Sequence, residues 1–69
     1  MKKEKNYILR NERDRQGYSQ KDMAKVLNVD YMTYGNKENG KYQFTEFEML
    51  KICKLLNKSL DDLFMREVV

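Results

Sequence analysis

Sixty-nine residues with a net charge of +3, one cysteine and no histidine leave room for one domain and few kinds of chemistry. A lone cysteine closes no internal disulfide and makes no plausible zinc set without histidine, and no apolar run approaches the ~20 residues of a membrane span. With no nucleophile beside a base and no glycine-rich phosphate loop, an enzyme is not expected, and neither is a cofactor, a metal or a small-molecule ligand.

Residues 1–5, MKKEK, carry too little apolar content to be tied down, so they are expected to form a disordered basic arm, either a solubilising tail or a contact to a polyanion. The single folded domain is expected over 6–69. A first helix is predicted over 6–16, with Gly17 just past its end. Its apolar face is thin: Tyr7, Ile8 and Leu9 lie at the start, while Glu12 and Gln16 are polar.

Ser19 is a favourable N-cap for a second helix over 20–27, in which Met23, Ala24 and Leu27 make one apolar stripe. Asn28 tolerates the left-handed conformation of a tight exit, and Val29 turns back to the core. Asp30 caps a third helix that Asn39-Gly40 stops, and Ala24 is the small residue at which the second and third helices cross. Tyr34 falls on the inward side of the third helix, where its hydroxyl needs a partner. Gly35 sits mid-helix at a cost of about 1 kcal/mol relative to alanine, so either something approaches the backbone there or the free helix is soft.

Phe44 is the expected anchor of the next connector. Thr45 and Glu48 spell a capping box, and the fourth helix runs to about residue 57 with Met49, Ile52, Cys53, Leu55 and Leu56 inward. Cys53 in that stripe reads as a core thiol. Ser59, Asp61 and Asp62 open a fifth helix whose Leu60, Leu63 and Phe64 close the core. The class is all-α. Positive charge gathers early: residues 1–21 hold seven Lys or Arg against three acids, whereas 45–69 hold four against five. That distribution suits a polyanion on one side.

Gln20, Ala24, Val29 and the ending Glu38-Asn39-Gly40-Lys41, at this spacing, resemble the helix-turn-helix of the phage Cro/cI repressor family, also called the XRE family. The resemblance runs over about residues 7–65. It implies a compact five-helix lambda-repressor-like DNA-binding domain, with the second and third helices as the helix-turn-helix. It also implies a transcriptional regulator of phage or prophage repressor type, acting as a homodimer on an operator. With no apolar run long enough for a span and no signal-peptide h-region after the basic start, a cytoplasmic location is expected.

Residue by residue, the resemblance places Tyr31, Met32, Thr33 and Asn36 against base edges in the major groove of double-stranded DNA, and Ser19, Gln20, Asn39 and Lys41 against phosphates. Asn36 suits the N6/N7 edge of adenine, and Met32 and Thr33 suit a thymine methyl. Ser19 and Asn39 have capping as a sufficient alternative role, and Lys41 could be a plain solvated charge. Arg13 is implied to pair with Glu38, tying the first helix to the end of the third. Pairing of two copies is implied near Lys58–Leu60 or through a tail containing Met65, Val68 and Val69. A competing class keeps the fold but works through a protein partner, as an antitoxin does on a toxin.

Overall fold

The computed structural model describes residues 7–64. The basic arm expected over 1–5 and the tail residues Met65, Val68 and Val69 lie outside them. The order is α1 (Tyr7–Arg15), α2 (Gln20–Leu27), α3 (Tyr31–Glu38), α4 (Glu46–Leu56) and α5 (Leu60–Leu63). Each boundary after the first has a local cause. Ser19, Asp30, Thr45 and Ser59 accept a hydrogen bond from the backbone N–H three residues on, and at Ser19, Thr45 and Ser59 the acid at that third position returns a bond to the cap N–H.

The helix exits repeat one device. Gly17, Asn28, Gly40 and Asn57 take positive φ of 85, 59, 89 and 58°. The residue after each donates its N–H back five positions: Tyr18 to Arg13, Val29 to Ala24, Lys41 to Asn36 and Lys58 to Cys53, at 2.9–3.1 Å. In three linkers that donor, Tyr18, Val29 or Lys58, is the last residue before the next N-cap. The fourth helix therefore ends at Leu56, with Asn57 as its left-handed cap.

The core consists of Leu9, Met23, Leu27, Tyr34, Ile52, Leu56 and Leu63, with the smaller Ala24 and Cys53 completing it. Phe44 pins the long α3–α4 connector by tilted and edge-to-face ring contacts with Tyr34 (5.7 Å between ring centroids) and Phe64 (5.6 Å). The first helix departs from expectation. Tyr7 and Ile8 are exposed, and only Leu9 and Arg13 of α1 are buried. One apolar side chain does not hold a nine-residue helix, so polar bonds supplement it. Gln16 donates to the Leu56 carbonyl at 2.9 Å, docking the exit of α1 on the exit of α4, and Glu12 accepts from Gln16 and Arg15.

Candidate nucleic-acid interface

The third helix divides its surface in two. Tyr34 and Glu38, four residues apart, point inward and are buried. Tyr31 and Met32 point outward, 52% and 71% exposed, with Thr33 and Asn36 half-exposed beside them. An α-helix with its side chains is about 10–12 Å across, close to the ~12 Å width of a B-form major groove. The residues expected to read bases therefore share one solvent-facing helix of suitable size.

What fixes that helix is a carboxylate. The Glu38 side chain accepts from Arg13 Nε at 2.7 Å, Arg13 Nη2 at 3.1 Å, Gln20 Nε2 at 2.8 Å and the Tyr34 hydroxyl at 2.8 Å. Arg13 completes its own donors on the Tyr18 carbonyl (2.8 Å) and Asp14 (3.0 Å). One carboxylate thus links α1, α2 and α3, and the described residues contain no buried side-chain polar atom without a partner. Bidentate guanidinium geometry fixes orientation as well as distance. A second strut, Lys37 to Glu48 at 2.7 and 2.8 Å, ties the last turn of α3 to the capping box of α4.

These contacts set the titration behaviour. Burial pulls the Glu38 pKa upward, but hydrogen bonds from Arg13, Gln20 and Tyr34 overcome it and hold the carboxyl below its ordinary range. Burial and the neighbouring Glu38 charge push the Tyr34 phenol well above its ordinary value. A depressed carboxyl stabilises the fold above its unfolded pKa of about 4.3 and loses that contribution as pH falls through the folded value. A raised phenol stabilises below about 10 and loses its contribution as pH rises further. Urea midpoints measured across pH are expected to fall at both acid and alkaline ends. The paired replacement Arg13→Met with Glu38→Met, which leaves no unpaired buried charge, should flatten the acid limb, and an unchanged limb would assign it to other carboxylates such as Glu48, whose pKa is also depressed.

The Gln20 carboxamide lies across Gly35: a β-carbon there would sit 3.4 Å from Gln20 Oε1, an ordinary contact distance. Of the two alternatives at Gly35, a close neighbour or a soft helix, the structure shows a neighbour, this side chain, and it leaves room for a methyl group. Gly35→Ala is therefore expected to stabilise the free protein by about 0.5–1 kcal/mol in urea titrations. A loss of stability would mean that Gln20 is displaced from Glu38.

The residues expected at phosphates flank the outward face of α3. Ser19 and Gln20 open α2, beside an open groove of about 540 Å³ that also takes in Tyr18, Lys21 and Tyr31. Lys21 Nζ stands 5.9 Å from the Tyr31 ring centroid. Ser19 is occupied in its capping box and Gln20 in its bond to Glu38. Asn39 and Lys41 lie exposed past the other end of α3; the Lys41 backbone closes the helix on Asn36 and its ammonium stands 5.7 Å from the Tyr42 ring. Sequence reasoning passed over Lys21 and Tyr42. A lysine directly after a helix-opening residue was the available signal for the first, and Tyr42 carried none.

Comparison with known proteins settles the family. The sequence profile of the helix-turn-helix family HTH_3 matches residues 9–63. This chain belongs to that family. Its members are non-enzymatic DNA-binding transcription regulators, and this helix-turn-helix chain is one of them. The restriction-modification controller protein C.AhdI from Aeromonas hydrophila is 27% identical and superposes with a TM-score of 0.75, covering 86% of this chain and 89% of its own. The clp gene regulator ClgR from C. glutamicum shares the fold at 20% identity and a TM-score of 0.74, covering 87% and 78% respectively. Among curated proteins none matches. No described helix is long and apolar enough to cross a membrane.

Proposed function

We propose that this helix-turn-helix regulator binds a specific operator as a homodimer and represses a promoter that the operator overlaps. The observation that carries the reading is the division of α3. Tyr31, Met32, Thr33 and Asn36 lie on its outward side, while Tyr34 and Glu38 lock the inward side to α1 and α2. Two large apolar-bodied side chains side by side on an open surface are suited to being covered by a partner. In this reading Asn36 addresses adenine, Met32 and Thr33 a thymine methyl, and Tyr31 a phosphate or base edge through its hydroxyl. Phosphates lie at Ser19 and Gln20 on one side, with Lys21 reinforcing them, and at Asn39 and Lys41 on the other.

Two copies would read half-sites about one helical turn, roughly 10 bp, apart. The Cro/cI-type motif residues support a phage or prophage repressor in a bacterial cytoplasm. The likeness to a restriction-modification controller protein at nearly full mutual coverage supports a second setting, control of a neighbouring restriction-modification operon. The genes beside this one separate the two settings, and a toxin gene there would instead favour the antitoxin reading.

The test is selection of bound duplexes from a random library, followed by titration of the winner at several salt concentrations. An enriched inverted repeat bound at least about 10³-fold more tightly than random DNA is expected. Weak, salt-sensitive binding without enrichment would sink operator recognition and leave a protein-partner role for the fold.

A further inference from the structure

The recognition helix accounts for Tyr31 and Met32 but not for a second exposed apolar stripe, on α4. Phe47 and Leu50 are 67% and 47% exposed, Phe47 on the side of the helix opposite the core residues Ile52, Cys53 and Leu56 and Leu50 on the flank between that side and Cys53. Around them the charges are ordered. Glu46, Leu50 and Lys54 form one row at four-residue spacing, and Phe47 and Lys51 form the adjoining row, with Lys51 Nζ 5.0 Å from the Phe47 ring centroid. Glu46 and Lys54 are both exposed, and neither has an ion-pair partner among the described residues. The stripe therefore has an acid at its N-terminal end, a base at its C-terminal end and apolar bulk between them.

We propose that this stripe is the contact between two copies of the chain, packed as antiparallel α4 helices about a two-fold axis through Leu50. A two-fold axis there brings Glu46 of each copy opposite Lys54 of the other, Leu50 against Leu50, and each Phe47 toward the other copy's apolar row. A parallel pairing would set Glu46 on Glu46 and Lys54 on Lys54. A uniformly acidic partner would meet Glu46, and a uniformly basic one Lys51 and Lys54. Only an arrangement with the charges reversed satisfies both ends, and a second copy supplies it.

The stripe is short. An 11-residue helix spans about 16 Å, and its outer face falls below the ~800 Å² per partner of a standard interface. Pairing in free solution is accordingly weak and is completed when adjacent half-sites hold both copies. The inference rests on the homodimer reading above and gives it a surface.

Sedimentation equilibrium at rising protein concentration, together with gel shifts on the selected inverted repeat and on an isolated half-site, tests it. Glu46→Lys and Lys54→Glu are each expected to weaken self-association and cooperative binding of the repeat by about tenfold, with half-site binding unchanged. The double variant E46K/K54E should recover both to near the starting values. Loss of helix stability cannot imitate this rescue, because both substitutions oppose the α4 dipole and the double variant is the worse helix. Leu50→Glu, placing two carboxylates on the axis, should abolish pairing.

Single variants that pair normally, a double variant that fails to recover, or a protein monomeric at every concentration on and off DNA would each overturn the α4 contact. Failure of library selection is a separate result. It refutes operator recognition, while the charge-swap rescue in sedimentation still decides the contact.

Discussion

Replacing Glu38 by alanine is expected to destabilise the domain by about 3–5 kcal/mol, enough to unfold most of a protein this small at ambient temperature. The cost does not come mainly from the lost attraction. Glu38 is 2% exposed and Arg13 5%, so deleting the carboxylate leaves a guanidinium out of water with only the Tyr18 carbonyl and the surface Asp14 as acceptors. The Tyr34 hydroxyl and the Gln20 amide lose their acceptor in the same step. The double replacement Arg13→Met with Glu38→Met removes both charges and should recover much of the loss, because a well-packed apolar pair avoids the desolvation that the ion pair incurs. Urea unfolding of Arg13→Met, Glu38→Met and the double variant measures the coupling. If Glu38→Ala unfolds within about 1 kcal/mol of the parent, the carboxylate is not the anchor that its four hydrogen bonds imply.

Asn36→Ala should leave stability nearly untouched and weaken specific binding by about 1–3 kcal/mol, roughly ten- to a hundredfold. Asn36 lies on the outward part of α3, half-exposed, and its backbone carbonyl rather than its side chain closes the helix on the Lys41 N–H at 2.9 Å. Its carboxamide is thus available to pair with a base edge. The signature is positional: preference should relax at one base pair in each half-site while binding to random DNA stays the same. Equal loss on every sequence would move Asn36 to the phosphate backbone, and Lys41→Ala provides the comparison, with a uniform loss and a shallower salt dependence expected.

The two variants test different levels of one helix, and those levels differed in how readable they were. Starts and stops were local and therefore legible. A serine, threonine or aspartate with a backbone N–H three residues on, or a glycine or asparagine that tolerates positive φ, carries its reason within one turn of chain. Accordingly α2 begins after Ser19 and ends before Asn28, and Thr45 with Glu48 opens α4.

Contacts made across the fold were less legible. Tyr7 and Ile8 look like the apolar start of α1, but position on a helix does not say whether a neighbour exists to cover it, and none of the described elements does. Gln16 looked like a missing apolar residue and instead caps a carbonyl 40 positions away. Sequence offered an acid at position 38 and a basic partner for it. Tyr34 reaches Glu38 from one turn away on the same helix, but Arg13 and Gln20 converging on that carboxylate depend on three helices meeting, which no local pattern encodes. The base contacts proposed for Tyr31, Met32, Thr33 and Asn36 follow from their placement on the outward side of α3.

The arrangement of α3 has a consequence for how such a protein changes over time. The side chains that hold the helix, Tyr34 and Glu38, are different from those offered to the outside, although all lie within eight residues. In the proposed reading, substitutions at the outer positions therefore alter what is addressed without disturbing what keeps the domain folded. A new target can be acquired in single steps, each passing through a folded intermediate, and an engineer varying Tyr31, Met32, Thr33 and Asn36 searches addresses at nearly constant stability. The carboxylate hub has no comparable freedom: any acid that replaces Glu38 must serve donors from three helices at once, so that position changes together with its partners or hardly at all.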